Sequence, residues 1–345
     1  MEKTLLSAPA TINNQIYSDA DIQILDATDA DVALDTYFSA TMSKPVILFL
    51  TGTAHNFTTT GVKSISNDVI IIGRYDDEQV TLRPINCWKS CKGKLLFKNI
   101  KIDLSDLNGG SNAGYFINNA GVISKGDFTD ICIDNCLIAN VLKPIYYDAA
   151  QKTYFGIDNI SVQDTRIEVN AIKIALINIY KGFNLGDYKT FNFKNNIVYS
   201  QTPQEGVQIL NWATGNIPLS DGVLSAEIIN NTFVNMIGSN IFFRYQKGTS
   251  LTISKNIFDV SLEAEFGSYY YSFLESCTPQ IDVTDNIVYG LTKNWNYYHT
   301  SSLVKEPTSG NNITKHATAP ITQYDYVNGI FTLASDVAGY GATIE

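Results

Sequence analysis

The chain has 345 residues, is 45% hydrophobic and only 17% charged, and carries a net charge of −10. Apolar content this high excludes disorder, and an acidic balance without a Lys/Arg run excludes nucleic acid and anionic membrane as natural partners. No stretch is long and apolar enough to cross a membrane or to act as a secretory leader.

In chain order, residues 1–28 read as a linker or N-terminal extension. Residues 29–42 read as a short capping helix, with Leu34, Tyr37, Phe38 and Thr41 on one face and Asp29 or Asp31 as N-cap. PVILFLTG (45–52) and VIIIGR (69–74) then begin a series of strands. Seven segments align without gaps: LLFKNIKI (95–102), ICIDNCLI (131–138), ISVQDTRI (160–167), FNFKNNIV (191–198), AEIINNTF (226–233), LTISKNIF (251–258) and IDVTDNIV (281–288). Their period-two alternation marks strands. The spacing of 25–36 residues fits a solenoid with fixed strands and loops free to lengthen.

Two columns of this alignment are apolar throughout. One runs Phe97, Ile133, Val162, Phe193, Ile228, Ile253, Val283; the other runs Ile102, Ile138, Ile167, Val198, Phe233, Phe258, Val288. Stacked strands would place such side chains about 4.8 Å apart and fill a tube. The sixth column ends in Asn196, Asn231, Asn256 and Asn286, which predicts an amide ladder at a sharp bend. A further strand is expected in most coils, as at 115–117, 177–180, 207–210, 241–244 and 272–275. Tyr324–Leu333 reads as a last strand region followed by a loose tail. The expected fold is an all-β, single-stranded, right-handed parallel β-helix of about ten coils, one domain over 29–345.

The strand–Asn–strand repeat and the opening PVILFLTGTAHNF…VIIIGR resemble the pectin-lyase-like β-helix superfamily. IFFRYQKGTSLTISKNIF (241–258) is most similar to its chondroitinase-B and alginate-lyase branch, and to β-helix proteins that accompany polysaccharide-use systems in gut bacteria. That resemblance implies carbohydrate handling. For the lyase branch it implies Ca²⁺ held by Asn and Glu, with Lys and Arg moving protons on a uronate. Arg244 matches the Arg-bearing strand of that branch. The matching preceding strand, VQILNWATGN (207–216), has neither the expected Lys nor acids.

Ca²⁺ takes six to eight oxygens, so acids should stack on adjacent coils. The outward columns Lys98–Asp134–Gln163–Lys194 and Asp103–Ala139–Glu168–Tyr199 never hold two acids in succession. No metal or other cofactor is expected. Cys87, Cys91, Cys132 and Cys136 read as small buried hydrophobes rather than zinc ligands. His55, His299 and His316 show no orienting carboxylate and read as surface residues. Arg244, Glu275 and Lys305 are 31 and 30 residues apart, one coil each, and form a +/−/+ column if in register. That column is either a structural ion ladder or a grip on an anionic sugar, with Arg244 and Lys247 the catalytic candidates if catalysis occurs. Trp212, Tyr245, Tyr270, Trp295 and Tyr297 offer aromatic faces for sugar rings or seal the loops.

The leading expectation is therefore a monomeric, extracellular or surface β-helix that binds an acidic polysaccharide, such as a uronate-containing one, without cleaving it. The Tyr-rich, His-poor composition suits that location, with a leader trimmed from the chain. The alternatives are a polysaccharide lyase using Arg244, and an adhesin-like structural stalk.

Overall fold

The computed structural model describes residues 11–12, 15–27, 31–39, 41–52, 56–60, 63–74, 79–89, 91–108, 115–119, 129–147, 157–170, 174–179, 188–205, 207–212, 223–237, 241–245, 248–259, 270–273, 280–290, 296–299 and 311–344. They form an all-β parallel solenoid with almost no helix. Three series of strands stack along it. The first runs from Asp21–Asp26 through Val46–Thr51, Gly93–Lys98 and Asn159–Gln163 to Gly248–Ser254. The second follows after a corner of one or two residues, as in Ile100–Asp103, Arg166–Val169 and Ile257–Asp259. Both series merge in Gln280–Tyr289. The third is a separate nine-stranded sheet that runs from Lys63–Ser64 to Asn296–His299.

The apolar columns are in register. Phe97 pairs with Ile133, then Val162, Phe193, Ile228, Ile253 and Val283. Ile102 pairs with Ile138, Ile167, Val198, Phe233, Phe258 and Val288 in the same way. All lie in one continuous core. Each such side chain contributes about 1.5–3 kcal/mol by leaving water. Phe233 stacks on Phe258 along the second column, with centroids 4.9 Å apart, and Phe193 of the first column stacks on Phe233 at 6.4 Å, which joins the two.

The Asn ladder is present, but the bend belongs to the residue before it. Asn99, Asn135, Asp164, Asn195, Asn230, Lys255 and Asp285 have φ of 50–56°. These left-handed residues turn the chain between the first and second series, where Asn and Asp are best tolerated. The following Asn196, Asn231, Asn256 and Asn286 are fully buried. Their amides bond from coil to coil at 2.9–3.1 Å. Each Nδ2 also donates to a carbonyl, from Val162 to Ile253.

Both ends differ from expectation. The stack extends upstream of residue 29, because Asp21–Asp26 pairs parallel with Val46–Thr51 over its whole length. Ile12 and Tyr17 pack on the outward side chains of Ile47, Phe49, Ile70 and Ile72. The expected helix at 29–42 is instead the strand Val32–Ala33, paired with Phe57 and Thr58, and one 3₁₀ turn over Asp35–Tyr37. The acids there serve the sheet: Asp31 accepts from the Asn56 N–H and Asp35 from that of Thr60, both at 3.0 Å. Pairing with a preformed strand edge outweighs a short i, i+4 pattern. Leu34 and Phe38 are buried, and Phe38 lies 5.2 Å from the Trp88 ring.

The C-terminal tail is tied down rather than loose. Ile321–Asp325 and Ile330–Leu333 form an antiparallel hairpin. It covers the outward faces of Ile197, Tyr199 and Val234, and Val337 packs on Ile257 and Ile287. Beyond it, Gly341 N–H donates to the Lys255 carbonyl at 2.7 Å, Ala342 N–H to Thr232 Oγ1 at 2.9 Å and Thr343 N–H to Asn195 Oδ1 at 2.8 Å. The outer face was apolar at these rungs, so it needed cover.

Candidate functional site

The nine-stranded sheet carries the candidate site. Its strands are short, and the five central ones, from Trp88–Lys89 to Gln208–Trp212, each set a buried residue beside a half-buried polar neighbour. Trp88, Ile117, Tyr146, Ile177 and Leu210 form the buried column. Trp88 is anchored by its Nε1–H, which donates to Thr59 Oγ1 at 3.1 Å. Its ring sits within 5.6 Å of Phe38, Phe97 and Phe116. The inward anchor fixes the neighbour that points away from it, because strand side chains alternate.

Those neighbours make a polar column. It runs Ser64, Lys89, Asn118, Tyr147, Asn178, Asn211, Arg244, Ser272 and Tyr298 in unbroken register. At about 4.8 Å per rung, Lys89 and Arg244 are about 24 Å apart. Lys89, Asn118, Tyr147, Asn178 and Asn211 are each half-buried. Asn211 Nδ2 donates to Asn178 Oδ1 at 3.3 Å. The Tyr147 ring stacks on that of Tyr115, with centroids 4.1 Å apart and planes inclined by 16°. The column thus offers amides, one aromatic stack and Lys89, Arg244 continues it in backbone register, and its described rungs hold no acid.

Of the expected +/−/+ column of Arg244, Glu275 and Lys305, only Arg244 lies among the described residues. Arg244 lies between Asn211 and Ser272, and Ser272 beside Tyr298. Glu275, Lys305, Lys247 and Trp295 lie outside the described residues. The other site candidates fall on adjacent strands of this sheet. Trp212 ends Gln208–Trp212 opposite Ile179. Tyr245 pairs with Phe273, Tyr270 with Ile241 and Asn296, and Tyr297 with Tyr271.

Sequence reasoning missed Lys89, Asn118, Tyr115, Tyr147, Asn178 and Asn211. Their signal was an apolar–polar pair in each third strand, as in Trp88–Lys89, Ile117–Asn118 and Leu210–Asn211. A two-residue pattern between loops of unequal length has too little periodicity to align.

Other chemistry lies elsewhere. Cys87, Cys91, Cys132 and Cys136 are buried thiols outside any disulfide. Burial pushes the Cys132 thiol up to about 11 and that of Cys136 to about 12, away from the thiolate that binds metals. Among the described residues, no three His, Cys, Asp or Glu side chains converge. His316 does have a carboxylate in reach: its Nε2 lies 3.5 Å from Asp336, on the C-terminal segment rather than on the nine-stranded sheet. On the first series, Lys98 and Asp134 form an ion pair at 2.6 Å across adjacent coils.

No helix among the described residues is long and apolar enough to cross a membrane. Comparison of the chain with protein-family models, with curated proteins and with solved structures finds no match.

Proposed function

We propose that this protein is a polysaccharide-binding, right-handed parallel β-helix of the pectin-lyase-like kind, with about ten coils, that acts outside the cell and lays a glycan chain along its nine-stranded sheet. One observation carries this reading: the polar column Lys89–Asn118–Tyr147–Asn178–Asn211–Arg244, with one rung per coil on a rigid buried backing. A linear polymer with repeated hydroxyls matches a linear array of amides and aromatic rings. Lys89 and Arg244 supply partners for acidic groups on the chain.

Binding without cleavage is favoured by the neighbours of Arg244. β-Elimination needs a base at the acidic C–H and an acid at the leaving oxygen, beside the group that neutralises the carboxylate. The adjoining rungs are Asn211 and Ser272. Neither an amide nor an unactivated hydroxyl takes up a proton at neutral pH.

The test is affinity electrophoresis of the full chain in gels cast with polygalacturonate, alginate, chondroitin sulfate, xylan or galactomannan. The same polymers are incubated with the protein, with and without Ca²⁺, and followed for ultraviolet absorbance of unsaturated uronates. Retention in at least one gel with no absorbance rise is the expected result. Free migration in every gel overturns the binding reading, and an absorbance rise replaces it with a lyase.

A further inference from the structure

Resting on that reading, we infer that Tyr147, backed by Tyr115 and flanked by Asn118 and Asn178, is a subsite for an uncharged sugar ring, recognised by its hydroxyls and C–H face. The glycan would then be a heteropolymer or a neutral chain rather than a uniform polyuronate.

Rigidity is the first argument. Tyr146, the inward partner of Tyr147, is fully buried in the core. The Tyr147 carbonyl accepts from the Asn119 N–H at 2.9 Å, which ties this rung to the previous coil. The near-parallel stack with Tyr115 restrains the ring plane. A preset aromatic ring binds the C–H face of a pyranose without first losing side-chain freedom.

The second argument is the chemistry on either side. Asn118 and Asn178 are the adjacent rungs, about 4.8 Å away on each side. Carboxamides both donate and accept, as sugar hydroxyls do. Asn211 holds the Asn178 carbonyl, which orients its NH₂ group.

Charge is the third. Within the column, Lys89 is two rungs from Tyr147 and Arg244 three, about 10 and 14 Å. At physiological salt the screening length is about 8 Å, so neither cation compensates a carboxylate over Tyr147. A uniform polyuronate would place a carboxylate on every sugar and meet cationic residues at only two of these six rungs.

The experiment compares wild type, Tyr147→Phe, Tyr147→Ala, Tyr115→Ala and Lys143→Ala by affinity electrophoresis in galactomannan, xylan and polygalacturonate. Lys143 is exposed in the turn leading into this rung and serves as the charge control. Unfolding midpoints verify that each variant is folded, and Tyr115→Ala reads the same subsite if Tyr147→Ala does not fold. Wild type and Tyr147→Phe are expected to be retained by a neutral polymer. Loss of the stack should weaken that retention about five- to tenfold, as removal of an aromatic contact does, and Lys143→Ala should leave it unchanged. Retention by polygalacturonate alone, or a neutral-polymer affinity that Tyr147→Ala leaves intact, overturns the subsite while the binding reading stands. A wild type that no polymer retains overturns both.

Discussion

Asn231 donates from Nδ2 to Asn256 Oδ1 at 2.9 Å, while its own Oδ1 accepts from the Nδ2 and the backbone N–H of Asn196. The same Nδ2 group also reaches the Phe193 carbonyl at 2.8 Å. One amide therefore satisfies donors and acceptors on three coils in a water-free interior. Low local dielectric makes such a chain strong when complete and costly when broken.

Asn231→Ala is accordingly expected to destabilise the protein by about 3–5 kcal/mol, since two or more buried polar groups lose their partner at about 1–3 kcal/mol each. Chemical denaturation should show a large fall in midpoint. Asn196→Ala, at the first rung of the ladder, should cost less, because its side chain serves three groups (the Thr165 N–H, the Val162 carbonyl and Asn231 Oδ1) where that of Asn231 serves four. Equal losses at the two sites would show that the ladder does not act as a connected chain.

The corner before the ladder makes the opposite kind of prediction. Lys255 has φ of 56° and an exposed side chain, where most other coils place Asn or Asp. A left-handed lysine stores strain, because its Cβ crowds the following carbonyl and it has no short polar group to bond locally. Lys255→Asn is expected to raise stability by about 0.5–1 kcal/mol. Lys255→Gly should gain less, because glycine also gains freedom in the unfolded chain. A lowered thermal midpoint for Lys255→Asn would mean that the lysine stem covers apolar surface worth more than the strain.

These two columns show why the repeat was legible and the site was not. Phe97 to Val283 and Asn196 to Asn286 are held in register by close packing and by amide bonds, so the sequence repeats them. The corner was assigned one residue late because both columns are rich in Asn, as in Asn195–Asn196 and Asn230–Asn231. The third series carries no such constraint between its short strands. Arg244 and Ser272 are paired although 28 residues separate them, and Ser272 and Tyr298 although 26 do. A coil spacing read from the core therefore does not carry over to this series. The helix expected at 29–42 failed for a related reason: Val32 and Ala33 had a strand edge to join, which local periodicity does not reveal.

Acid should act through Asp103. Burial opposes its charge, but the Ser105 N–H at 3.0 Å and Asn140 Nδ2 at 2.9 Å favour the carboxylate and hold its pKa below the usual value. A depressed carboxylate contributes stability that is present above the unfolded pKa, about 4, and is lost as pH falls through the folded value. Asn140 has φ of 61° at an irregularity of the second series, so this bond also pins a strained residue. Asp103→Asn is expected to flatten the fall in unfolding midpoint below about pH 4 relative to wild type. An unchanged acid limb would assign that slope to other carboxylates.

The C-terminal hairpin is fastened at two points that can be undone separately from the coils. Tyr324 donates to Asp259 Oδ2 at 2.7 Å, and Asp259 is fully buried. Gly329, at φ +63° in the hairpin turn, lies against Tyr199, so that a Cβ there would come 2.7 Å from the ring. Gly329→Ala combines a left-handed alanine with that overlap, which together cost about 2–4 kcal/mol. The hairpin lies outside the tube and carries none of the inward columns, so the cost should appear as local opening. Amide exchange over 321–333 is expected to quicken and proteases to cut there, while protection of the core strand around Leu251 and Ile253 stays as in wild type. If Gly329→Ala speeds exchange in both places together, the hairpin is part of the cooperative core; if in neither, the turn accommodates the methyl group by shifting Tyr199.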